Sequence, residues 1–162
     1  MAQTTAIGLI RVSTDRQGES GLGLEAQRAK VEAQALVGDL NLIEIIEESG
    51  VSGGREIAKR KGLGNALAML EAGEAEALIV PSLSRLSRRT RDVLEIADRA
   101  DKQGWALIVM DLAMDTRTPT GKLAMTVLAA VAELEREQIS ERTRDAMAAA
   151  KAQGRHLGRK PT

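Results

Sequence analysis

Ala77-Leu-Ile-Val80-Pro81 and Ala106-Leu-Ile-Val-Met110 stand on either side of a helical stretch, residues 91–103, that stops at Gly104. Short apolar runs bounded by turn residues suit buried strands, and a glycine just past a helix suits its C-cap. The unit therefore reads as strand, helix, strand. Further back, residues 6–12 (Ala-Ile-Gly-Leu-Ile-Arg-Val) form another buried strand, followed by a polar, glycine-rich loop to Gly23. Residues 24–37 read as a helix, 42–46 as a second strand, 47–54 as a loop and 63–70 as a short helix. Alternating strands and helices predict an α/β domain: a mainly parallel sheet of four to five strands flanked by helices.

From Thr120 to Gln153 there is no glycine or proline beyond Gly121, and helix formers dominate. The predicted helix is about 50 Å long at roughly 1.5 Å per residue, longer than the preceding core can cover. Its first half carries Leu123, Val127, Val131 and Leu134 as a stripe, with Leu128 alongside, for its own core or for a partner helix. The chain thus divides into an α/β core at 1–118, a long helix with a candidate dimerisation stripe at 119–153, and a basic tail at 154–162.

Composition excludes several classes of function. The chain has 162 residues, 23 basic and 23 acidic side chains, no Cys and one His, His156, near its end. There is no disulfide, thiol nucleophile or cysteine-ligated metal, and no histidine-rich zinc site. No apolar run reaches the 18 or so residues of a membrane span and no secretion signal opens the chain, so a cytoplasmic protein is expected. Trp105 is the only aromatic residue, which argues against binding single-stranded nucleic acid by base stacking. Arginines outnumber lysines by 16 to 7, as where planar forks meet phosphate or carboxylate. Arg142, Arg144, Lys151, Arg155, Arg159 and Lys160 face only Asp145 among nearby acids, and this basic end is where a polyanion is expected.

Ligands of open α/β sheets gather beyond the carboxyl ends of the strands. There the first strand delivers Arg11 and Ser13, which a two-residue period puts on one side, and the third delivers Arg85 and Arg88, which share a face if that segment is helical. A hydroxyl with three guanidinium groups suits a phosphodiester, the serine attacking and the arginines holding the phosphoryl oxygens. Taken singly, Ser13 reads as a turn or cap residue, Arg85 and Arg88 as surface ion-pair partners, and Glu47 and Glu48 as a solvated strand end rather than a magnesium site. Gly21-Leu-Gly23-Leu-Glu-Ala26 has a dinucleotide-like spacing but begins nine residues after the strand instead of in the turn.

Taken in order, these segments resemble the catalytic domain of the serine recombinases, the resolvase/invertase family with its integrase relatives. Arg11-Val-Ser13-Thr-Asp-Arg-Gln17 is similar to the nucleophile segment, and Leu24-Glu-Ala-Gln27 to the Leu-x-x-Gln after it. Glu48-Ser-Gly-Val-Ser52-Gly53 resembles the acidic Ser-Gly loop, and Arg60-Lys-Gly-Leu63 the Arg-x-Gly-Leu. Leu83-Ser84-Arg85-Leu86-Ser87-Arg88 resembles the Leu-Asp-Arg-Leu-x-Arg signature. Glu133-Leu-Glu135-Arg136 through Glu141-Arg142 is similar to the long-helix block, and Gly154 to Arg159 to the link toward a DNA-binding domain.

The resemblance implies site-specific strand exchange on double-stranded DNA. Ser13 would form a 5′-phosphoserine bond, with Arg11, Arg85 and Arg88 as the phosphate clamp. Gln17, Gln27, Arg60, Glu135, Arg136, Glu141 and Arg142 would support the site. No metal, small-molecule cofactor or membrane is implied; a homodimer through the long helix and a tetramer on DNA at synapsis are. Two positions depart from the family pattern: Leu9 stands where a Tyr is usual, and Ser84 where an Asp is usual. The second suggests lowered activity or a compensating acid such as Glu48, and keeps alive a catalytically weakened DNA-associated dimer of the same fold.

Overall fold

The computed structural model describes residues 2–12, 20–51, 54–155 and 158. Five strands form one sheet: β1 Thr5–Val12, β2 Asn41–Ser49, β3 Ala77–Val80, β4 Ala106–Val109 and β5 Met114–Asp115, in the order β2-β1-β3-β4-β5. The first four are parallel, and β5 is a short antiparallel edge on β4. The fold class read from the sequence therefore holds, with β5 as the fifth strand. Strand alternation divides the core: Ile7, Leu9, Leu78, Val80, Leu107 and Val109 face one side, and Ala6, Ile10, Ala77, Ile79, Ala106 and Ile108 the other. Helix α1 (Ser20–Val37) covers the second face with Val31 and Ala35. On the first face lie α2 (Lys61–Glu71), the single turn α3 (Leu83–Leu86) and α4 (Thr90–Gln103), bringing Leu63, Leu67, Leu86, Val93 and Ile96.

Two expectations need correction, and one open alternative is decided. α1 starts at Ser20 instead of Leu24, so Gly21 and Gly23 belong to the helix and not to the preceding loop. β2 continues three residues past Ile46, carrying Glu48 inward on the same face as Ile46. The predicted Leu123–Leu134 stripe does not lie on its own core. Helix α5 (Pro119–Ala152) instead turns Ala124, Met125, Leu128 and Ala132 toward the core, leaving Leu123 62% and Leu134 54% exposed. Every residue from Glu133 to Ala149 is exposed, so α5 projects from the body as its length requires.

Thr118 caps α5, its Oγ1 accepting from the Gly121 N–H at 3.0 Å. Gly121 is buried where α5 crosses β5, and a Cβ there would come within 1.8 Å of the Asp115 carbonyl oxygen. Gly64 lies in the interior of α2 with nothing within 4 Å of such a Cβ. Gly121→Ala is therefore expected to destabilise the protein by about 1–3 kcal/mol, because backbone must move. Gly64→Ala is expected to stabilise it by about 0.5–1 kcal/mol through helix propensity. Urea denaturation of the two variants checks the opposite signs.

Candidate phosphate site

The strand order reverses between β1 and β3: the chain leaves β1 for β2, then returns to the other side of β1. In such sheets this switch point opens a crevice at the carboxyl ends of the strands. β1 pairs with β3 only from Ala6 to Gly8, so its last residues outrun that neighbour. Gln27 of α1 serves in its place. Its Oε1 accepts from the Arg11 N–H at 3.1 Å and its Nε2 donates to the Arg11 carbonyl at 3.2 Å. Gln27 thus fixes the backbone from which Arg11 projects.

The Arg11 side chain is buried, 1% exposed. Nη1 donates to the Val51 carbonyl at 2.7 Å and Nη2 to the Ser84 carbonyl at 2.8 Å. Nε is the one buried side-chain nitrogen or oxygen among the described residues with no hydrogen-bond partner. Burial, followed by the charges of Arg60, Arg85 and Arg88, lowers the pKa of Arg11 to about 10, with only Glu48 acting in the opposite sense. A cation removed from water among other cations is held at a high potential, which an arriving anion would relieve.

Arg60, also 1% exposed, organises the rest. It donates from Nε and Nη2 to Glu48 Oε2, from Nη1 to the Leu86 carbonyl, and from Nη2 to the Arg85 carbonyl at 3.0 Å. The C-terminal carbonyls of α3, at Ser84, Arg85 and Leu86, are therefore all answered by buried guanidinium groups. Such carbonyls lack partners within a single turn, and their dipole favours cations. At the other end of α3, Asp111 Oδ1 accepts from the Leu83 N–H at 3.1 Å. Ser87 donates to Asp92 and accepts from the Arg89 N–H, fixing the step from α3 into α4.

Glu48 is not a solvated strand end. It is 4% exposed, and its Oε1 accepts from the Leu63 N–H at 2.9 Å in the first turn of α2. A carboxylate at a helix N-terminus is stabilised by the free N–H groups and the dipole. Gly62 makes room for it, since a Cβ there would lie 2.3 Å from Glu48 Cγ. The Arg-x-Gly-Leu spacing thus has a physical content: Arg60 neutralises Glu48, Gly62 admits it and Leu63 receives it. Both Glu48 oxygens are engaged, Oε2 by Arg60 and Oε1 by the Leu63 N–H. Ser84 Oγ lies 3.0 Å from Ser82 Oγ. Glu47, by contrast, is exposed and pairs with Arg28.

Of the residues expected at the site, the fold gathers Arg11, Gln27, Arg60, Arg85 and Arg88. The expected shared helical face of Arg85 and Arg88 is not formed, because α3 ends at Leu86 and Ser87 is extended. Arg85 and Arg88 nonetheless both act on the charge of Arg11. Ser13 and Gln17 lie outside the described residues, as do Arg159 and Lys160. Glu135, Arg136, Glu141 and Arg142 are exposed on the projecting part of α5, with no hydrogen bond or ion pair to the buried arginines. Arg144, Lys151 and Arg155 are likewise exposed toward its end. Asp111 and Asp92, which fix the two ends of the α3 turn, carry no distinctive mark in the sequence. Their signal, an acid near a one-turn helix after a strand, is too common to single them out.

No helix among the described residues is long and apolar enough to cross a membrane, and among them no cluster of His, Cys, Asp and Glu could hold a metal ion. The family profile described as "Resolvase, N terminal domain" matches residues 6–156. A "DNA-invertase" of Escherichia phage P1 is 36% identical over 155 residues, covering 96% of this chain and 75% of that protein. "Serine recombinase PinR" of Escherichia coli (strain K12) is 33% identical over 138 residues, covering 85% and 68%. The crystal structure of a resolvase family site-specific recombinase from Streptococcus pneumoniae superposes with a TM-score of 0.76 at 29% identity, covering 93% of this chain and 99% of that one. The N-terminal catalytic domain of TP901-1 integrase gives 0.75 at 27% identity, covering 83% and 98%.

Proposed function

The chain belongs to the resolvase family of serine recombinases, matching its N-terminal domain, and on that premise we propose that it cuts and rejoins DNA through Ser13. Ser13 Oγ attacks the scissile phosphorus. The new Oγ–P bond replaces the bond to the 3′ oxygen, which takes up a proton and leaves as a 3′-hydroxyl. The serine loses its own proton in the same exchange. The bond energy stays in the 5′-phosphoserine ester, so attack by another 3′-hydroxyl reseals the backbone and frees the serine without a nucleotide cofactor.

The observation that carries this reading is the buried guanidinium of Arg11, with an unanswered Nε and a charge raised in energy by Arg60, Arg85 and Arg88. Arg11, Arg85 and Arg88 hold the non-bridging oxygens and stabilise the charge of the in-line transition state. Gln27 and Arg60 position the clamp, and Gln17 supports the nucleophile. Glu135, Arg136, Glu141 and Arg142 contribute from the long helix, while Arg144, Lys151, Arg155, Arg159 and Lys160 meet the DNA backbone. The exposed Leu123, Val127, Val131 and Leu134 seat a second protomer, and two such dimers assemble on DNA at synapsis.

A nicked duplex, whose cleavage product cannot be religated, tests the chemistry. The wild-type protein is expected to leave a denaturant-resistant protein–DNA adduct that Ser13→Ala abolishes entirely. An adduct that persists in Ser13→Ala overturns the assignment of the nucleophile. Ser84 favours one alternative, a DNA-associated dimer of the same fold with weakened catalysis. Duplex binding without any adduct, followed by recovery of the adduct in Ser84→Asp, would establish it.

A further inference from the structure

We propose that Arg55, Arg89 and Arg91 form a second DNA-backbone contact, a cationic ridge running outward from the phosphate site along the seam between α2 and α4. The proposal rests on the recombinase reading for its partner. Two segments make the ridge, and the fold staples them together. Arg60 binds the carbonyls of Arg85 and Leu86 from one side of the seam, while Arg89 Nη2 donates to the Gly54 carbonyl at 2.7 Å from the other. Arg89 and Arg91 line the same cleft of about 630 Å³ as Glu56, the residue after Arg55.

Charge along this seam is unevenly answered. The acids of the cleft already have partners: Glu56 pairs with Lys59 at 3.3 Å, Glu71 and Glu95 with Arg99 at 3.9 and 2.9 Å, and Asp92 accepts from Ser87 at 2.9 Å. Arg55, Arg89 and Arg91 are exposed, and none of them forms an ion pair among the described residues. Arg89 is the N-cap of α4 and Arg91 lies in its first turn, where the helix dipole disfavours cations. An approaching polyanion reverses that penalty.

The arrangement fits a phosphate backbone, because three exposed guanidinium groups come from two segments that the Arg89–Gly54 hydrogen bond holds together. It is continuous with the site through Arg88, the sequence neighbour of Arg89. A strand whose scissile phosphate sits at Arg11 would thus have flanking phosphates beside the ridge. Forked guanidinium donors hold such phosphates in register without reading bases.

The test uses the full chain and a fluorescent 30-bp duplex titrated at several salt concentrations, with adduct formation on a nicked duplex measured in parallel. Arg55→Gln and Arg91→Gln are each expected to lower the salt-dependence slope by roughly 0.9, the value for one phosphate contact. Binding at low salt should weaken several-fold in each. Lys102→Gln, an ion-paired cation at the far end of α4, should do neither. Unchanged slopes in a protein that still forms the Ser13 adduct overturn the ridge and leave the recombinase reading standing. Ridge-dependent slopes without any adduct support the ridge and defeat the catalytic reading. If the wild type shows no salt-dependent duplex binding, or if polyglutamate displaces the duplex as well as a second duplex does, the ridge is not a DNA contact.

Discussion

Arg11→Gln is expected to lower the rate of adduct formation by about 10²–10³-fold or more, the loss typical of removing one preorganised donor from a developing oxyanion. Thermal stability is expected to change little, because relief of the buried charge offsets the loss of one of the two carbonyl hydrogen bonds. The native pKa of Arg11, about 10, lies below the ordinary arginine value, so in the pH range below 10 its charge opposes folding. The unfolded chain binds the extra proton between about 10 and the ordinary value, and stability from this group rises with pH across that window. Glutamine carries no charge to desolvate and can still donate to one of the two carbonyls that Arg11 now serves. Activity has the opposite dependence: as pH rises through about 10, wild-type Arg11 loses its proton, the clamp loses a positive charge, and cleavage should decline. Melting curves and cleavage rates of both proteins at pH 8 and pH 11 check the two signs together. A variant that loses stability and activity in proportion would make Arg11 a packing residue, not part of a phosphate clamp.

Arg60→Met is expected to destabilise the protein by about 3–5 kcal/mol. The buried ion pair with Glu48 lies at the centre of the site, and removing one partner leaves a carboxylate in a space that excludes water. The carbonyls of Arg85 and Leu86 lose their donors as well, each a buried acceptor worth about 1–3 kcal/mol when unanswered. Glu48→Gln in the same background removes the stranded charge, and the double variant should recover part of the loss. A double-mutant cycle by urea denaturation measures the coupling. If the two losses simply add, Arg60 and Glu48 act independently and the staple is absent. Activity should fall in Arg60→Met even where the protein remains folded, because the turn bearing Arg85 is no longer held.

These two arginines also mark where the sequence was legible. The apolar runs at 77–80 and 106–109, the helix between them and the long glycine-poor stretch before Gly154 determined the α/β class and the projecting helix. Local periodicity and helix-ending residues act over a few positions and need no tertiary information. The order of the motifs from Arg11 to Arg159 determined the family by itself. Chain order also pointed to the correct end of the sheet for Arg11, Arg85 and Arg88.

Tertiary structure alone decided what those side chains do. Glu48 looked like a strand end in water because its burial comes from pairing beside Arg11 in β1 and from α2 arriving with Gly62. Arg60 looked like one motif residue among several, yet it ties three segments together through partners 12 to 26 residues away. The apolar α5 stripe is legible in the sequence, but whether it meets its own core or a partner helix is not, since a helix has two candidate apolar sides and the crossing of Gly121 over Asp115 fixes the rotation. Composition and period set which elements exist. Which face a helix buries, and whether a charge meets water or another charge, depends on contacts between residues far apart in the chain, which no local pattern encodes.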